Sequence, residues 1–295
     1  MNKYLFLAII IHSLLNCHVI AQDKYQLSQV TTRPGEAGFF DWSPDGLSIA
    51  YTRPNGIWKF HIDEGIPKQI ITNQAQHPDW SPDGNYIVFD SDSGKTISVT
   101  SAAGGVPIRI NPETTPIINS GYPLWTPDGA KVLYQGEQYA LYLLEVQTGK
   151  ITKFTEFEHL IPVPKSWSPT GNELLLSLRD NSKREANLWM VSRTGSKTQL
   201  TYDGKSGYRD GDISPDGSFI VYSLYKDHKI WIMPLEGGRS MQLTFSEDAR
   251  DSDPKFSPDG KWIAFRRNIS GTENIWILKF DMDATHKELE LLNQQ

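Results

Sequence analysis

Short apolar runs recur along the chain, and each of them follows a copy of the same polar tetrapeptide. The tetrapeptide is Ser-Pro-Asp-Gly or a near variant, and its six copies begin at Ser43, Ser81, Thr126, Ser168, Ser214 and Ser257. Successive copies lie 38 to 46 residues apart. Proline sets the backbone for a tight turn, Ser and Asp bond to nearby backbone groups, and glycine accepts a left-handed exit. Each copy therefore predicts a hairpin turn.

Predicted strands flank every turn. A large apolar residue precedes the turn, namely Trp42, Trp80, Trp125, Trp167, Ile213 or Phe256. The apolar run that follows, such as Ile49 to Tyr51, is typical of a buried second strand. An aliphatic residue followed by an aromatic one, such as Ile57-Trp58, indicates a third strand in most units, and segments such as Met241 to Thr244 indicate a fourth. Each period therefore predicts one four-stranded unit.

Four strands in every period of about 43 residues are typical of a propeller blade. The fold predicted is all-β, a six-bladed β-propeller of four-stranded antiparallel blades over residues 22–283. A β-sandwich with coincidental turns would not repeat the whole pattern in six units. Residues Leu27 to Thr32 resemble the fourth strands, so we expect this N-terminal strand to complete the sixth blade and close the ring. Residues 284–295 form a tail, in which Lys287 to Leu292 suits either an edge strand or a short helix.

Residues 1–21 predict a secretory signal peptide. Lys3 is followed by an apolar run from Tyr4 to Leu15, and Ala21 ends a small-residue cleavage pattern. The apolar run is shorter than the roughly 20 residues that a spanning helix needs, so no membrane span is expected. Lipidation at Cys17 is a less favoured alternative, because Asn16 stands where a lipobox usually has a small residue. The protein is therefore expected in the periplasm or outside the cell.

Charge and cysteine content narrow the classes of partner. The net charge is −6, and it becomes one unit more negative when Lys3 leaves with the signal. Nucleic acids and anionic membrane surfaces attract basic patches, so nucleic acid is not expected as a partner. The one cysteine lies within the predicted signal, so the mature fold is expected to rest on packing without disulfides.

Candidate binding residues lie where the inner strands begin. In a propeller these strands start at the mouth of the central channel, so residues a few places before each turn form its rim. The predicted channel-mouth residues are Phe39, Phe40, His77, Tyr122, Lys165, Arg209, Asp210, Asp251 and Asp253. They combine aromatic side chains with charged ones, which suits a peptide segment or a sugar.

Structural roles for the same residues stay open. The three aromatic side chains Phe39, Phe40 and Tyr122 would equally serve as packing that plugs the channel. The Asp side chains would equally cap turns and bond to loop backbone. His77 by itself would equally make a structural hydrogen bond. The pattern contains no set of three His placed for a metal, so neither a metal nor a cofactor is expected.

The six turns with their preceding Trp, together with Gln199 to Thr201 and Gln242 to Thr244, resemble the TolB-like propeller family of WD40-like repeat proteins. The resemblance covers about residues 25–283 and leaves out the N-terminal α/β domain of TolB itself. It implies a monomeric, non-enzymatic protein-binding or scaffold module of the bacterial cell envelope, with an envelope protein or peptide as partner.

Oligogalacturonate lyases carry a similar propeller, which implies a competing function. In that alternative the chain is a carbohydrate-active enzyme, a lyase or hydrolase that takes a glycan into the channel. His77 would then act with Arg209 or Lys165. No catalytic residue set is assigned from the sequence.

Overall fold

A computed structural model describes residues 25–32, 38–113, 121–137, 139–202 and 207–293, and these residues form six four-stranded antiparallel sheets and one helix. The predicted signal peptide, with Cys17, lies outside the described residues. Within the described ranges, no helix is both long enough and apolar enough to cross a membrane.

Each sheet contributes one strand to each of four concentric positions. The inner strands are β2 (Phe40–Trp42), β6 (Gln76–Trp80), β10 (Leu124–Trp125), β14 (Ile161–Trp167), β18 (Tyr208–Ile213) and β22 (Ala249–Phe256). The second strands are β3 (Ser48–Arg53), β7 (Tyr86–Ser91), β11 (Lys131–Gln135), β15 (Glu173–Asp180), β19 (Phe219–Leu224) and β23 (Trp262–Ile269). The third strands are β4 (Gly56–His61), β8 (Thr96–Ser101), β12 (Ala140–Glu145), β16 (Glu185–Ser192), β20 (Ile230–Pro234) and β24 (Thr272–Lys279). The outer strands are β5 (Pro67–Gln69), β9 (Ile108–Arg109), β13 (Ile151–Glu156), β17 (Lys197–Gln199), β21 (Met241–Gln242) and β1 (Leu27–Gln29).

The N-terminal strand closes the ring, as the sequence predicts. Five sheets pair their strands in chain order, whereas the sixth has the order β1-β24-β23-β22. Leu27 lies opposite Leu278 and Gln29 lies opposite Trp276. The Thr31 hydroxyl accepts a hydrogen bond of 3.0 Å from the Ile275 backbone N–H. The two ends of the propeller are therefore joined by backbone pairing and by a buried side-chain bond.

The hydrophobic core lies between neighbouring blades. One buried cluster joins Ala50 and Ile57 of the first blade to Trp80, Ile87 and Phe89 of the second. The tryptophan before the turn thus packs between sheets, which confirms the interpretation of that position. Because each blade buries both of its faces against neighbours, the ring must be complete before the core is fully buried.

The tetrapeptides form the hairpin turns predicted. The Ser43 hydroxyl donates to Asp45 Oδ1 at 2.5 Å and accepts from the Ser48 backbone N–H at 2.9 Å. Gly46 has a φ of +71°, which an L side chain rarely adopts. A Cβ at Gly171 would lie 3.2 Å from Pro127 of the preceding turn. The turns therefore pack on one another at the face opposite the channel mouth.

The C-terminal segment is a helix rather than an edge strand. Helix α1 (Met282–Asn293) begins after Asp281, whose carboxylate accepts from the Ala284 backbone N–H at 2.9 Å and caps the first turn. Leu289 is buried in the cluster that contains Phe219 and Phe280. The helix therefore packs on the fifth and sixth blades, while the edge that a strand would have occupied is taken by β1.

A belt of polar side chains connects the inner strands below the mouth. It consists of the polar residues two places before five of the six turns, the third blade having Leu124 at this place. Its bonds are Trp80 N to Asp41 at 3.0 Å, Trp125 N to Asp79 at 2.7 Å, Ile213 N to Ser166 at 3.1 Å, Phe256 N to Asp212 at 2.8 Å and Lys255 Nζ to Asp41 at 2.9 Å. Each bond crosses from one blade to another. The belt therefore fixes the blades relative to one another directly beneath the candidate site.

Burial makes this belt electrostatically unusual. Burial and then the charge of Asp41 raise the pKa of Asp79 well above its usual value. Burial likewise raises the pKa of Asp212 to about 6. Burial alone would lower the pKa of Lys255, but Asp41 and Asp79 outweigh it and hold that pKa above its usual value. Lys255 therefore stays charged near Asp79 and Asp212, whose carboxyl groups resist ionisation.

Candidate functional site

The channel mouth is shaped by a repeated irregularity of the inner strands. Their pairing with the second strands shifts register between Gln76 and Asp79, and again at the corresponding place in the fourth, fifth and sixth blades. His77, Tyr122 and Asp253 have φ values of +48°, +41° and +56°. Such bulges redirect a side chain away from the regular alternation of a strand. In these four blades the bulge places the fourth residue before the turn at the wall of the channel.

A cavity of about 150 Å³ opens at this mouth. It is lined by residues of all six inner strands and of two second strands: Phe39, Phe40, His77, Pro78, Asp79, Tyr122, Pro123, Leu124, Pro164, Lys165, Arg179, Asp210, Gly211, Asp253, Lys255 and Arg266. All six blades therefore contribute residues to the wall of the cavity.

One side of the cavity is aromatic. The His77 ring lies between two others, with centroid distances of 4.0 Å to Phe39 and 4.0 Å to Tyr122. Burial raises the pKa of the Tyr122 phenol, so this side chain stays protonated. The three rings form a continuous wall, which we call the aromatic arc. They line the cavity without filling it.

The opposite side is charged, and most of its charges are paired. Lys165 Nζ lies 2.9 Å from Asp210 Oδ1, and Arg266 Nε lies 3.4 Å from Asp253 Oδ2. The Arg266 guanidinium also lies 5.0 Å from the centre of the Phe39 ring, within cation–π distance. We call these two ion pairs the charged arc. Within each pair the opposite charges largely neutralise each other.

In four blades, a residue of the second strand contacts the mouth residue thirteen positions earlier. His77 Nδ1 lies 2.7 Å from Asp90 Oδ1. The other pairs are Thr52 Oγ1 to the Phe39 carbonyl at 3.4 Å, Ser223 Oγ to Asp210 Oδ2 at 3.3 Å and the ion pair of Arg266 with Asp253. The spacing is constant because the turn and the two strands that it joins have the same geometry in each blade. The side chains of His77, Asp210 and Asp253 are therefore held in place from behind.

Seven of the nine residues predicted for the mouth lie around this cavity, namely Phe39, Phe40, His77, Tyr122, Lys165, Asp210 and Asp253. Arg209 lies in β18, but its side chain is outside the described part of the chain. His77 makes the structural hydrogen bond that was considered for it, and it does so at the cavity wall.

Asp251 does not line the cavity. Its carboxylate is fully buried and receives two hydrogen bonds from Arg267, from Nε at 2.7 Å and from Nη2 at 2.8 Å. The prediction placed it at the mouth because it lies near Asp253 in sequence. The register shift between Ser252 and Lys255 follows Asp251, so Asp251 keeps the regular strand alternation and points into the blade.

Arg179 and Arg266 were not identified from the sequence. Both lie on second strands, whereas the sequence reasoning considered only positions before the turns. A signal was present, because a polar residue follows the apolar run of every second strand, as Asp90 follows Ile87 to Phe89. Arg179 lies two residues beyond Ser177, which occupies the corresponding place in β15, so both side chains lie on the same face of the strand.

A family model described as the TolB beta propeller domain matches residues 96–289, which is more than half of the chain. The match includes the third strand of the second blade and all that follows up to helix α1. It agrees with the repeat pattern and with the sheet topology.

Curated relatives match about half of the chain. A Tol-Pal system protein TolB of Francisella tularensis is 26% identical over 167 residues, which are 54% of this chain and 38% of that protein. An uncharacterized protein of Agrobacterium fabrum is 30% identical over 169 residues, 54% of each chain. An uncharacterized peptidase of Bacillus subtilis is 26% identical over 156 residues, 52% of this chain and 22% of the peptidase. The matches thus extend over about half or less of these relatives.

Solved structures share the fold at low sequence identity. A TolB candidate from Agrobacterium tumefaciens superposes with a TM-score of 0.64 and 21% identity, over 88% of this chain and 98% of that one. TolB from Acinetobacter baumannii gives a TM-score of 0.59 and 18% identity, over 82% and 63%. An oligogalacturonate lyase in complex with manganese gives 0.59 and 15%, over 88% and 81%. These likenesses show the propeller fold alone.

Proposed function

The chain belongs to the TolB β-propeller domain family, and from that premise we propose that it is a non-enzymatic binding module whose channel mouth holds a protein or peptide partner. Relatives named as Tol-Pal system proteins suggest an envelope role for it. The observation that carries the proposal is the mouth cavity itself, which places an aromatic arc opposite a charged arc.

The two arcs together suit a polypeptide ligand. The half-buried rings of Phe39 and Tyr122 offer flat apolar faces, which aromatic anchors at protein interfaces commonly use. Asp210 and Asp253 offer acceptor oxygens, and Lys165 offers donors. A backbone segment carries both donors and acceptors beside apolar side chains, so its chemistry matches the mouth.

The size of the cavity favours a partner that is held mainly outside it. Sites that enclose small molecules usually measure roughly 300–1,000 Å³, whereas this cavity measures about 150 Å³. It has room for one side chain or one chain end. The remaining contact area of a stable complex would then come from the loops around the mouth.

A pull-down with paired charge-neutralising variants tests the proposal. The double variant Lys165→Gln and Asp210→Asn removes a nearly buried ion pair of the charged arc while keeping the side-chain volumes. The control, Lys153→Gln with Glu156→Gln, removes an exposed ion pair of 2.7 Å on the outer strand β13. We expect partner recovery from extracts of the source cells to fall at least tenfold for the mouth variant and to stay unchanged for the control. Equal recovery with both would refute binding at the mouth.

Export to the periplasm or beyond the cell is part of the proposal. It rests on the sequence of residues 1–21, which lie outside the described residues. Fractionation of cells that express the full chain tests it, together with the mass of the mature protein. A mature form that begins at Gln22 would support cleavage after Ala21, a lipid-modified Cys17 would support the alternative anchor, and an unprocessed cytoplasmic chain would refute export.

A second candidate is a carbohydrate-active enzyme, and the pairing of His77 with Asp90 favours it. A histidine that is oriented by a buried carboxylate is a common proton-accepting group in catalysis. Within the described residues, however, no group of three or more His, Cys, Asp or Glu is placed to hold a metal ion, so the residues present do not fit a manganese site. Incubation with acidic and neutral polysaccharides, followed by assays for unsaturated products and reducing ends, tests this candidate. Products that disappear in His77→Gln would support it, and their absence would refute it.

A further inference from the structure

Two polar groups of the mouth cavity stand out because they have no partner among the described residues. One is the guanidinium of Arg179, for which the structure shows neither a hydrogen bond nor an ion pair. The other is Nε2 of His77, which is buried and unpaired. The other charged side chains at the same wall are already paired, Lys165 with Asp210 and Arg266 with Asp253.

Arg179 gives the cavity a positive charge that is free to bind a ligand. It lies near the end of β15, and it is close enough to Tyr122 for its charge to act on the pKa of that phenol. A guanidinium presents a planar fork of donors that matches a carboxylate in two parallel hydrogen bonds. An unpaired arginine in a partly enclosed cavity therefore selects for an anion.

His77 presents a hydrogen-bond acceptor next to this charge. The imidazole is 7% exposed, and its Nδ1–H donates to Asp90, which is 1% exposed. In the neutral ring the proton on Nδ1 leaves a lone pair on Nε2. The Tyr122 ring lies 4.0 Å from the His77 ring, tilted by 42°, and the charge of Arg179 acts on the Tyr122 phenol, so the acceptor and the cation both neighbour one tyrosine. A ligand that reaches both must carry an anion and a donor a few bonds apart.

We propose that the mouth cavity anchors the free carboxyl end of a peptide or protein chain. Arg179 binds the terminal carboxylate, and His77 Nε2 accepts a hydrogen bond from the N–H group of the terminal residue. In a chain end these two groups are separated by a single Cα. This inference rests on the proposed function, because it specifies which part of a polypeptide partner enters the mouth.

Three features favour a chain end over an acidic sugar or an acidic side chain. The cavity of about 150 Å³ has room for one terminal residue but not for several sugar rings. Asp210 and Asp253 also line the cavity, and their carboxylates disfavour a ligand that carries several carboxylates. An Asp or Glu side chain within a peptide would bring its carboxylate without an N–H group at the fixed spacing of a chain end.

Affinity selection with matched peptide pools tests the anchor. The probes are N-acetylated tetrapeptides of random sequence with a free C-terminal carboxylate, and the same pool made as C-terminal carboxamides. Peptides that are retained on the immobilised mature protein are quantified by mass spectrometry. A hydrogen-bonded charge pair at this site corresponds to about a tenfold or larger preference for the carboxylate pool. We expect Arg179→Gln to abolish that preference and Arg184→Gln, an exposed arginine of the same blade, to keep it.

The outcomes separate the anchor from the proposed function. Equal retention of both pools, or a carboxylate preference that survives Arg179→Gln, overturns the anchor. If the mouth variant Lys165→Gln with Asp210→Asn then fails to retain either pool, binding at the mouth is supported even though the carboxylate anchor is refuted. Displacement of the retained peptides by galacturonate, but not by acetate, overturns the anchor in favour of an acidic sugar. A pull-down that captures a partner while neither pool is retained also overturns the anchor alone.

Discussion

Replacing Asp212 by Asn should stabilise the propeller at neutral pH. Asp212 belongs to the belt beneath the mouth, where Oδ2 accepts from the Phe256 backbone N–H at 2.8 Å. An asparagine carbonyl oxygen can accept the same bond without carrying a charge. Lys255 keeps its direct partner Asp41 at 2.9 Å in the variant. The substitution therefore removes a buried charge and keeps the bond to Phe256 of the next blade. The asparagine NH2 group replaces Oδ1, which accepts from the Ile213 backbone N–H at 3.0 Å, so the full cost of the charge is an upper limit on the gain.

The magnitude follows from the shift in the pKa of Asp212. Burial raises that pKa to about 6 in the folded protein, against about 3.9 in an unfolded chain. Below pH ~4 the group is protonated in both states and has no effect on stability. Between pH ~4 and ~6 the unfolded chain releases the proton while the folded protein still holds it, so stability falls as the pH rises. Above that window the cost levels off at about 3 kcal/mol.

Urea unfolding at pH 4.5, 5.5 and 7 measures the effect. We expect the variant to gain up to about 3 kcal/mol over the native protein at pH 7 and much less at pH 4.5. Asp83→Asn serves as a control in which the change in stability at pH 7 should have the opposite sign. The hydrogen bond from Ser81 holds the pKa of Asp83 below its usual value, so the ionised carboxylate stabilises the fold. An Asp212→Asn protein that is less stable than the native one at pH 7, or a gain that does not change with pH, would refute this account of the belt.

Three further substitutions test the fold, each by its free energy of unfolding in urea. Gly129→Ala forces a side chain into a turn with a φ of +68° and should cost about 1 to 2 kcal/mol, so an unchanged midpoint would contradict the turn geometry. Asp251→Asn breaks the buried pair with Arg267 and should cost about 3 to 5 kcal/mol, and a smaller loss than for Gly129→Ala would argue against a structural role. Thr31→Val leaves the buried Ile275 N–H without its acceptor and should cost about 1 to 3 kcal/mol, whereas a neutral effect would mean that this bond contributes little to ring closure.

The fold was predictable because the repeat combines several independent local signals. Turn chemistry, the large residue before the turn and the strand alternation all agree in each unit, so one reading satisfies them together. The C-terminal segment was not predictable, because Lys287 to Leu292 suits either a helix or a strand. Tertiary structure decided between them, since β1 occupies the free edge and Asp281 caps the helix.

The site was predictable only where the position of a residue along the inner strand determines which way its side chain points. Spacing from the turn identified His77 and Asp253, because the bulge recurs at the same place in their blades, and it identified Tyr122, which shares their positive φ. It misplaced Asp251, which lies before the bulge and retains strand alternation. It missed Arg179, because the cavity wall includes second strands whose distance from the channel depends on how the blades pack.

His77 and Asp90, thirteen positions later, act as one unit. Asp90 is 1% exposed, and its charge is tolerated because His77 donates to it at 2.7 Å. Removing His77 alone would leave a buried carboxylate without its partner, which costs far more than the loss of a surface contact. A substitution that probes the mouth must therefore keep a donor for Asp90. His77→Gln meets that requirement because its amide N–H groups can bond to the carboxylate, whereas His77→Ala would confound binding with folding.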